Sequence, residues 1–215
     1  MDDRGVTPRL ATAADAAAIV ATLSRAFHAD PLWSWAFPDE AKRLAQYAAF
    51  FSLFVESAIP NGWVWTSDQA AAVAVWTPPG ESELSNEAEA KLEPLLTAEL
   101  GAHAGPVLQV MEHFDSARPE GQDFYYLSLL GTHPKHRGRG LGMELLAANL
   151  AQIDVESTPA YLESSNPANN ARYERLGFRP HTEFSTPEGQ HTVTTMWRNS
   201  TPTLLPTNDR EDLPQ

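Results

Sequence analysis

The stretch HPKHRGRGLGMELL, residues 133–146, sets three glycines at alternate positions, Gly138, Gly140 and Gly142, and then runs into an apolar helical pattern. Each glycine costs roughly 0.5–1 kcal/mol relative to alanine inside a regular element, so a run this dense implies backbone that must bend or be closely approached. A helix start offers unpaired N–H groups and about half a positive charge, which together suit a phosphate. Lys135, Arg137 and Arg139 gather positive charge here in a chain whose formal net charge is −13. The competing account is a glycine-rich turn entering a helix from a solvated basic loop.

Two nucleotide motifs fail on the residues. A P-loop needs Lys and then Ser or Thr after its last glycine, and Gly142 is followed by Met143 and Glu144. A G-x-G-x-x-G fingerprint counted from Gly138 ends on Met143; Glu163 lies about twenty residues on, but no second mononucleotide-binding half follows.

The remainder of the chain limits the function. The 215 residues suit one α/β domain, 42% of them are apolar, and the longest apolar run, YAAFFSLFV at 47–55, is too short for a membrane span. The N-terminus lacks a basic start followed by an apolar run, and there is no cysteine, so a cytoplasmic location is expected. The acidic balance argues against nucleic acid, whose binding draws on Lys and Arg. It is uneven: residues 81–120 hold nine acidic side chains and two basic ones. His133 and His136 stand three apart, but without a carboxylate and among Arg and Lys they make a poor cation site, and no metal is expected.

Periodicity predicts a strand at 6–10, a helix after Thr12 with Ile19, Leu23 and Phe27 on one face, an aromatic loop HADPLWSWAFPD at 28–39, and a helix over about 39–58. A β-hairpin follows at 62–76, then two or three short helices at about 80–119. A strand at 124–132, the glycine loop, a helix to about 155, a strand at 160–164, a helix at 169–176 and strands at 178–185 and 192–198 complete the order. Residues 1–199 are expected to form a single domain, and 200–215, rich in proline and without periodicity, a disordered tail.

The glycine loop has a partner farther on. LLGTHPKHRGRGLG, 129–142, resembles motif A of the GNAT superfamily of N-acetyltransferases, whose R/Q-x-x-G-x-G/A core matches Arg137, Gly140 and Gly142. SSNPANNARYERLGF, 164–178, resembles the later motif of that family, with Asn166 and Asn169 seven and four residues before Tyr173. RLATAADAAAIVATLSRAF, AAVAVWTPPGE and PEGQHTVTTMW, in order along the chain, look like the puromycin N-acetyltransferase group.

The resemblance implies a mixed α/β fold: a mostly antiparallel central sheet flanked by helices, with the helical segment inserted between strands 3 and 4. It implies acetyl-CoA as co-substrate, held by the loop residues Arg137, Gly138, Arg139, Gly140, Leu141, Gly142 and Met143 together with Asn166, Asn169 and Tyr173. Leu130 and Thr132 correspond to the strand that pairs with pantetheine, and the N–H of Leu130 to the donor that polarises the thioester carbonyl. Tyr173 matches the general acid that returns a proton to the leaving thiolate; the alternative is a tyrosine filling the space between helix and sheet. Glu163 is the best carboxylate for a base, against a loop-holding role or water as base.

The expected reaction is acetylation of a primary amine of a small molecule, such as an antibiotic of the aminonucleoside type, by a monomer or homodimer with no nucleic-acid or membrane partner. Trp33, Trp35 and Phe37 either stack on that acceptor or belong to the core. The alternatives are a non-catalytic acyl-CoA-binding regulatory module and an acetyltransferase acting on a protein or peptide amine.

Overall fold

The computed structural model describes residues 7–201. The first part of the predicted opening strand, at residue 6, and the tail from 202 lie outside them. Strand β1, Arg9–Leu10, leads through a capping box, in which Thr12 N donates to Asp15 Oδ2 at 2.8 Å, into helix α1, Ala16–Ala26. The aromatic segment expected as loop contains a helix, α2, Pro31–Ala36: Pro31 suits a helix start, and Asp30 caps it by accepting from Leu32 N and Trp33 N. Helix α3, Glu40–Ala58, strands β2, Val64–Thr66, and β3, Ala72–Thr77, and the insertion helices α4, Asn86–Leu100, and α5, Ala104–Ser116, follow. The C-terminal half runs β4, Tyr125–Thr132; α6, Leu141–Val155; β5, Ala160–Ser164; α7, Asn170–Glu174; β6, Arg179–Ser185; β7, Thr192–Arg198.

The seven strands form one sheet in the order β1-β2-β3-β4-β5-β7-β6, antiparallel except for β4 beside β5. One face packs Val73, Val75 and Leu129 against α1, α3 and the insertion, where Ile19, Leu23, Phe50, Phe51 and Leu96 are buried. The other packs Ala72, Ala74, Trp76 and Leu162 against Leu145, Leu146 and Ile153 of α6. Trp76 Nε1 reaches across to Asn149 Oδ1 of α6 at 3.0 Å, satisfying an indole that would otherwise be buried without a partner.

The site depends on how β4 is built. Its pairing with β3 slips between Val75 and Trp76, so that Val75 faces Leu129 and Trp76 faces Leu127, leaving Ser128 as a bulge. The extra residue reverses the strand's facing, and Leu127 and Leu129 enter opposite cores. At the same place β4 and β5 part: their pairing ends at Leu127 and Leu162.

Candidate active site

His133 N bonds Ala71 O at 2.9 Å, which makes 71 and 133 a hydrogen-bonded pair of the β3–β4 ladder. Antiparallel pairs alternate, so 73 with 131 is the next such pair, and Leu130 and Thr132 turn their N–H and C=O away from β3 toward the edge that β5 has vacated. That edge is the wall of a groove that also contains Gly138, Gly140 and Gly142 at the start of α6.

The three glycines answer two demands. Gly138 and Gly140 hold φ of 78° and 80°, the left-handed region, and Gly140 is the N-cap of α6. Gly142 has ordinary helical backbone, but a Cβ there would lie 2.5 Å from Thr132 Oγ1: bare backbone lets the helix start sit directly on β4. The first-turn N–H groups of Leu141 and Gly142 have no helical carbonyl to bond. Met143 N is turned to Gly140 O at 2.9 Å, so Met143 contributes to the groove as a lining residue.

The basic residues divide. Arg137 lines the groove, with one guanidinium N–H on Ala26 O at 2.7 Å, fastening the loop to the end of α1. Arg139, expected in the cofactor set, is exposed and does not line the groove; the positive side chains that do, besides Arg137, include Arg172 and Arg175. Their spacing around Tyr173 carried no signal without the fold. Asn166 lines the groove and caps the following turn through Ala168 N, and Asn169 lines it beside Tyr173.

A second cavity opens on the other side of the split, between the sheet, α2, α3 and the insertion. Phe27, Asp30, Leu130, Asn169 and Tyr173 line both hollows, and among these shared residues Asp30 is the one carboxylate. Tyr173 lies with its ring edge-on to Phe178, and burial pushes its phenol up to about 12. Asp30 is 7% exposed; it caps α2 through Oδ1, accepts from Ser165 Oγ at 2.9 Å through Oδ2, and has its carboxyl pushed up by burial. Sequence reasoning missed it because an Asp before Pro reads as a turn residue.

Glu163 lines the second cavity alone. Tyr126 OH donates to its Oε2, and Tyr161 OH lies 2.9 Å from its Oε1 and 3.1 Å from Ala117 O. Burial pushes the Glu163 carboxyl up to about 8, against the pull of Tyr126 and Arg118. Arg118 stands 4.5 Å over the Tyr126 ring, pairs with Glu83 and lies 3.3 Å from Asp115. Glu83, which also accepts from Ser128, starts the insertion and Arg118 ends it, so their ion pair closes the insertion at its base.

Of the expected acceptor aromatics, Trp33 lines the second cavity, its ring parallel to that of Phe114 at 6.2 Å. Phe37, 1% exposed, is core, packed edge-on to Tyr47 and tilted on Phe50; as the residue that ends α2 it points into the body of the protein. Trp35 lines neither hollow and packs beside His103 and His191.

Residues 106–180, which contain β4, the glycine loop, α6, β5 and Tyr173, match the family described as acetyltransferase (GNAT) domain. Solved structures share the architecture over nearly the whole chain. An acetyltransferase from Corynebacterium glutamicum, described as histone acetyltransferase HPA2 and related acetyltransferase, is 24% identical, with 94% of this chain and 99% of that chain covered and a TM-score of 0.68. Arylalkylamine N-acetyltransferase 2 from Aedes aegypti is 11% identical, with 91% and 99% covered and a TM-score of 0.63. The Drosophila melanogaster polyamine N-acetyltransferase that forms N-acetylagmatine is 15% identical, with 90% and 99% covered and a TM-score of 0.58. The chain thus shares the fold of these solved acetyltransferases, and its residues 106–180 match the GNAT acetyltransferase domain family.

Proposed function

We propose that the protein is an acetyl-CoA-dependent N-acetyltransferase acting on a primary amine of a small molecule. The observation that carries this reading is the meeting of the two hollows at Leu130, Asp30 and Tyr173. The groove fits the co-substrate: left-handed glycines, a helix start close against β4, free backbone groups at Leu130 and Thr132, and cations at Arg137, Arg172 and Arg175.

Acetyl-CoA supplies the activated acetyl thioester. Leu141 and Gly142 present N–H groups to a pyrophosphate, and the Leu130 N–H, facing the split, is placed to polarise the thioester carbonyl. The Tyr173 phenol, protonated at neutral pH, supplies the proton that the departing thiolate takes up. Asp30 meets the acceptor's ammonium at the junction, and Glu163, on β5 in the same cavity, is the base to which the amine's proton passes in its ionised form, which makes this step strengthen as pH rises through about 8. Ser165, bonded to Asp30, lies two residues beyond Glu163, and both line the second cavity.

Trp33, Phe114 and the neighbouring apolar wall suit a flat acceptor, and an aminonucleoside such as puromycin is one such amine. The solved relatives include enzymes named for arylalkylamines and for polyamines, which supports a small amine as acceptor. The test follows free thiol release from acetyl-CoA with puromycin, arylalkylamines, agmatine, aminoglycosides and N-terminal peptides. Release with one or more small amines is expected; acetyl-CoA binding without turnover of any amine would indicate a non-catalytic acyl-CoA-binding module instead.

A further inference from the structure

We infer that the acceptor is an amine without a carboxylate, because the cavity that receives it offers four carboxyl groups and one cation, and that cation is already engaged. The inference rests on the second cavity being the acceptor site. Its charged lining among the described residues is Asp30, Glu83, Asp115 and Glu163 against Arg118.

Arg118 already carries a carboxylate partner. Its Nη2 pairs with Glu83 and lies 3.3 Å from Asp115, its guanidinium covers the Tyr126 ring, and its buried Nε has no hydrogen-bond partner among the described residues. Glu83 is in turn fixed by the Ser128 hydroxyl at the β4 bulge, so the pair is part of the frame that closes the insertion. Opposite stands an apolar wall of Phe27, Trp33, Phe50, Phe54 and Phe114. A substrate carboxylate entering here would lose its water and find the one cation already paired with Glu83, so that it would have to displace or share that partner; burial of an under-compensated charge is among the larger costs in protein chemistry. A carboxamide, an ether or a bare aromatic ring pays no such penalty. The cavity therefore selects against free amino acids while accepting amines of the same shape.

The test uses three compounds of one skeleton, phenethylamine, phenylalaninamide and phenylalanine, with acetyl-CoA and the wild-type chain. The two carboxylate-free amines are expected to exceed phenylalanine at least 100-fold in kcat/KM. Glu83→Gln keeps an acceptor for Ser128 but releases the Arg118 charge, and it should cut the amide-to-acid preference at least tenfold. That change of ratio cancels differences in amine basicity between the compounds. Asp115→Asn, at the exposed side of Arg118, should shift the ratio in the same direction and serves if Glu83→Gln does not fold. Phenylalanine within threefold of its amide in the wild type, or a ratio unmoved in the folded variants, overturns the inference. Failure of all three compounds also overturns it, whereas the wider reading falls only if no amine of the larger panel is acetylated.

Discussion

Ser165 Oγ donates to Asp30 Oδ2 at 2.9 Å, tying the free end of β5 to the start of α2 where the two hollows meet. The carboxyl thus has two duties, a helix cap through one oxygen and a charge at the junction through the other. Asp30→Asn keeps an equally good cap and removes the charge. We expect it to leave the unfolding midpoint nearly unchanged and to lower kcat/KM for the amine at least tenfold, while Asp30→Ala should also lose about 1 kcal/mol of stability with the cap. Full kcat/KM in Asp30→Asn would assign Asp30 to capping alone.

Gly142→Ala should weaken acetyl-CoA binding at least tenfold by calorimetry, about 1.4 kcal/mol, because its Cβ would stand 2.5 Å from Thr132 Oγ1 and push α6 off β4. The next atom, Thr132 Cβ, is 3.9 Å away, an ordinary contact. Removing the hydroxyl should therefore undo the damage: Gly142→Ala combined with Thr132→Ala is expected to bind within threefold of Thr132→Ala alone. A double variant as weak as the single would show that something other than this contact requires the glycine.

That the glycine loop, Asn166, Asn169 and Tyr173 would line one groove was legible because each lies in a short segment that resembles a family motif. The order of strands and helices along the chain followed from apolar runs and turns, and the mostly antiparallel sheet from the family resemblance. What sequence could not supply was which residues far apart would face one cavity. Glu83 and Arg118 are 35 residues apart and meet because α4 and α5 fold back on each other. Trp33 and Phe37 belong to one aromatic cluster of the sequence, yet one lines the cavity and the other ends α2 inside the core. Composition marks both as apolar and large, and only packing separates them. The acidic character of 81–120 was likewise visible, but not that Glu83 and Asp115 would be the members turned toward the cavity.

Tyr173→Phe is expected to lower kcat about 10²-fold with acetyl-CoA affinity preserved, the usual scale for loss of a general acid. Burial holds the phenol up to about 12, so it remains a proton donor across the assay range. The ratio of wild-type to Tyr173→Phe rates should then be constant from pH 7 to 10. A ratio that collapses within that range, or a variant of full kcat where chemistry limits turnover, would make Tyr173 a packing residue between α7 and Phe178.

Glu163 makes stability itself depend on pH. Its carboxyl titrates near 4.5 when unfolded and is pushed up to about 8 in the fold, chiefly by burial. Between those values the folded chain holds a proton that the unfolded chain has released, so rising pH favours unfolding; the contribution is intact below the unfolded value and is lost as pH climbs to about 8. Glu163→Gln cannot titrate and should remove this slope, making the stability difference between wild type and variant change by about 3 kcal/mol between pH 5 and 8. Glu83, also pushed up by burial, contributes with the same sign but is present in both chains and cancels. The variant has a way to fit: Tyr126 can donate to the amide oxygen, while the Tyr161 hydroxyl, 3.1 Å from Ala117 O, can donate there and accept from the amide nitrogen. Denaturant unfolding of both chains at pH 5, 6.5 and 8 measures the difference directly, and parallel stability curves would show that Glu163 is already ionised in the folded protein at pH 5.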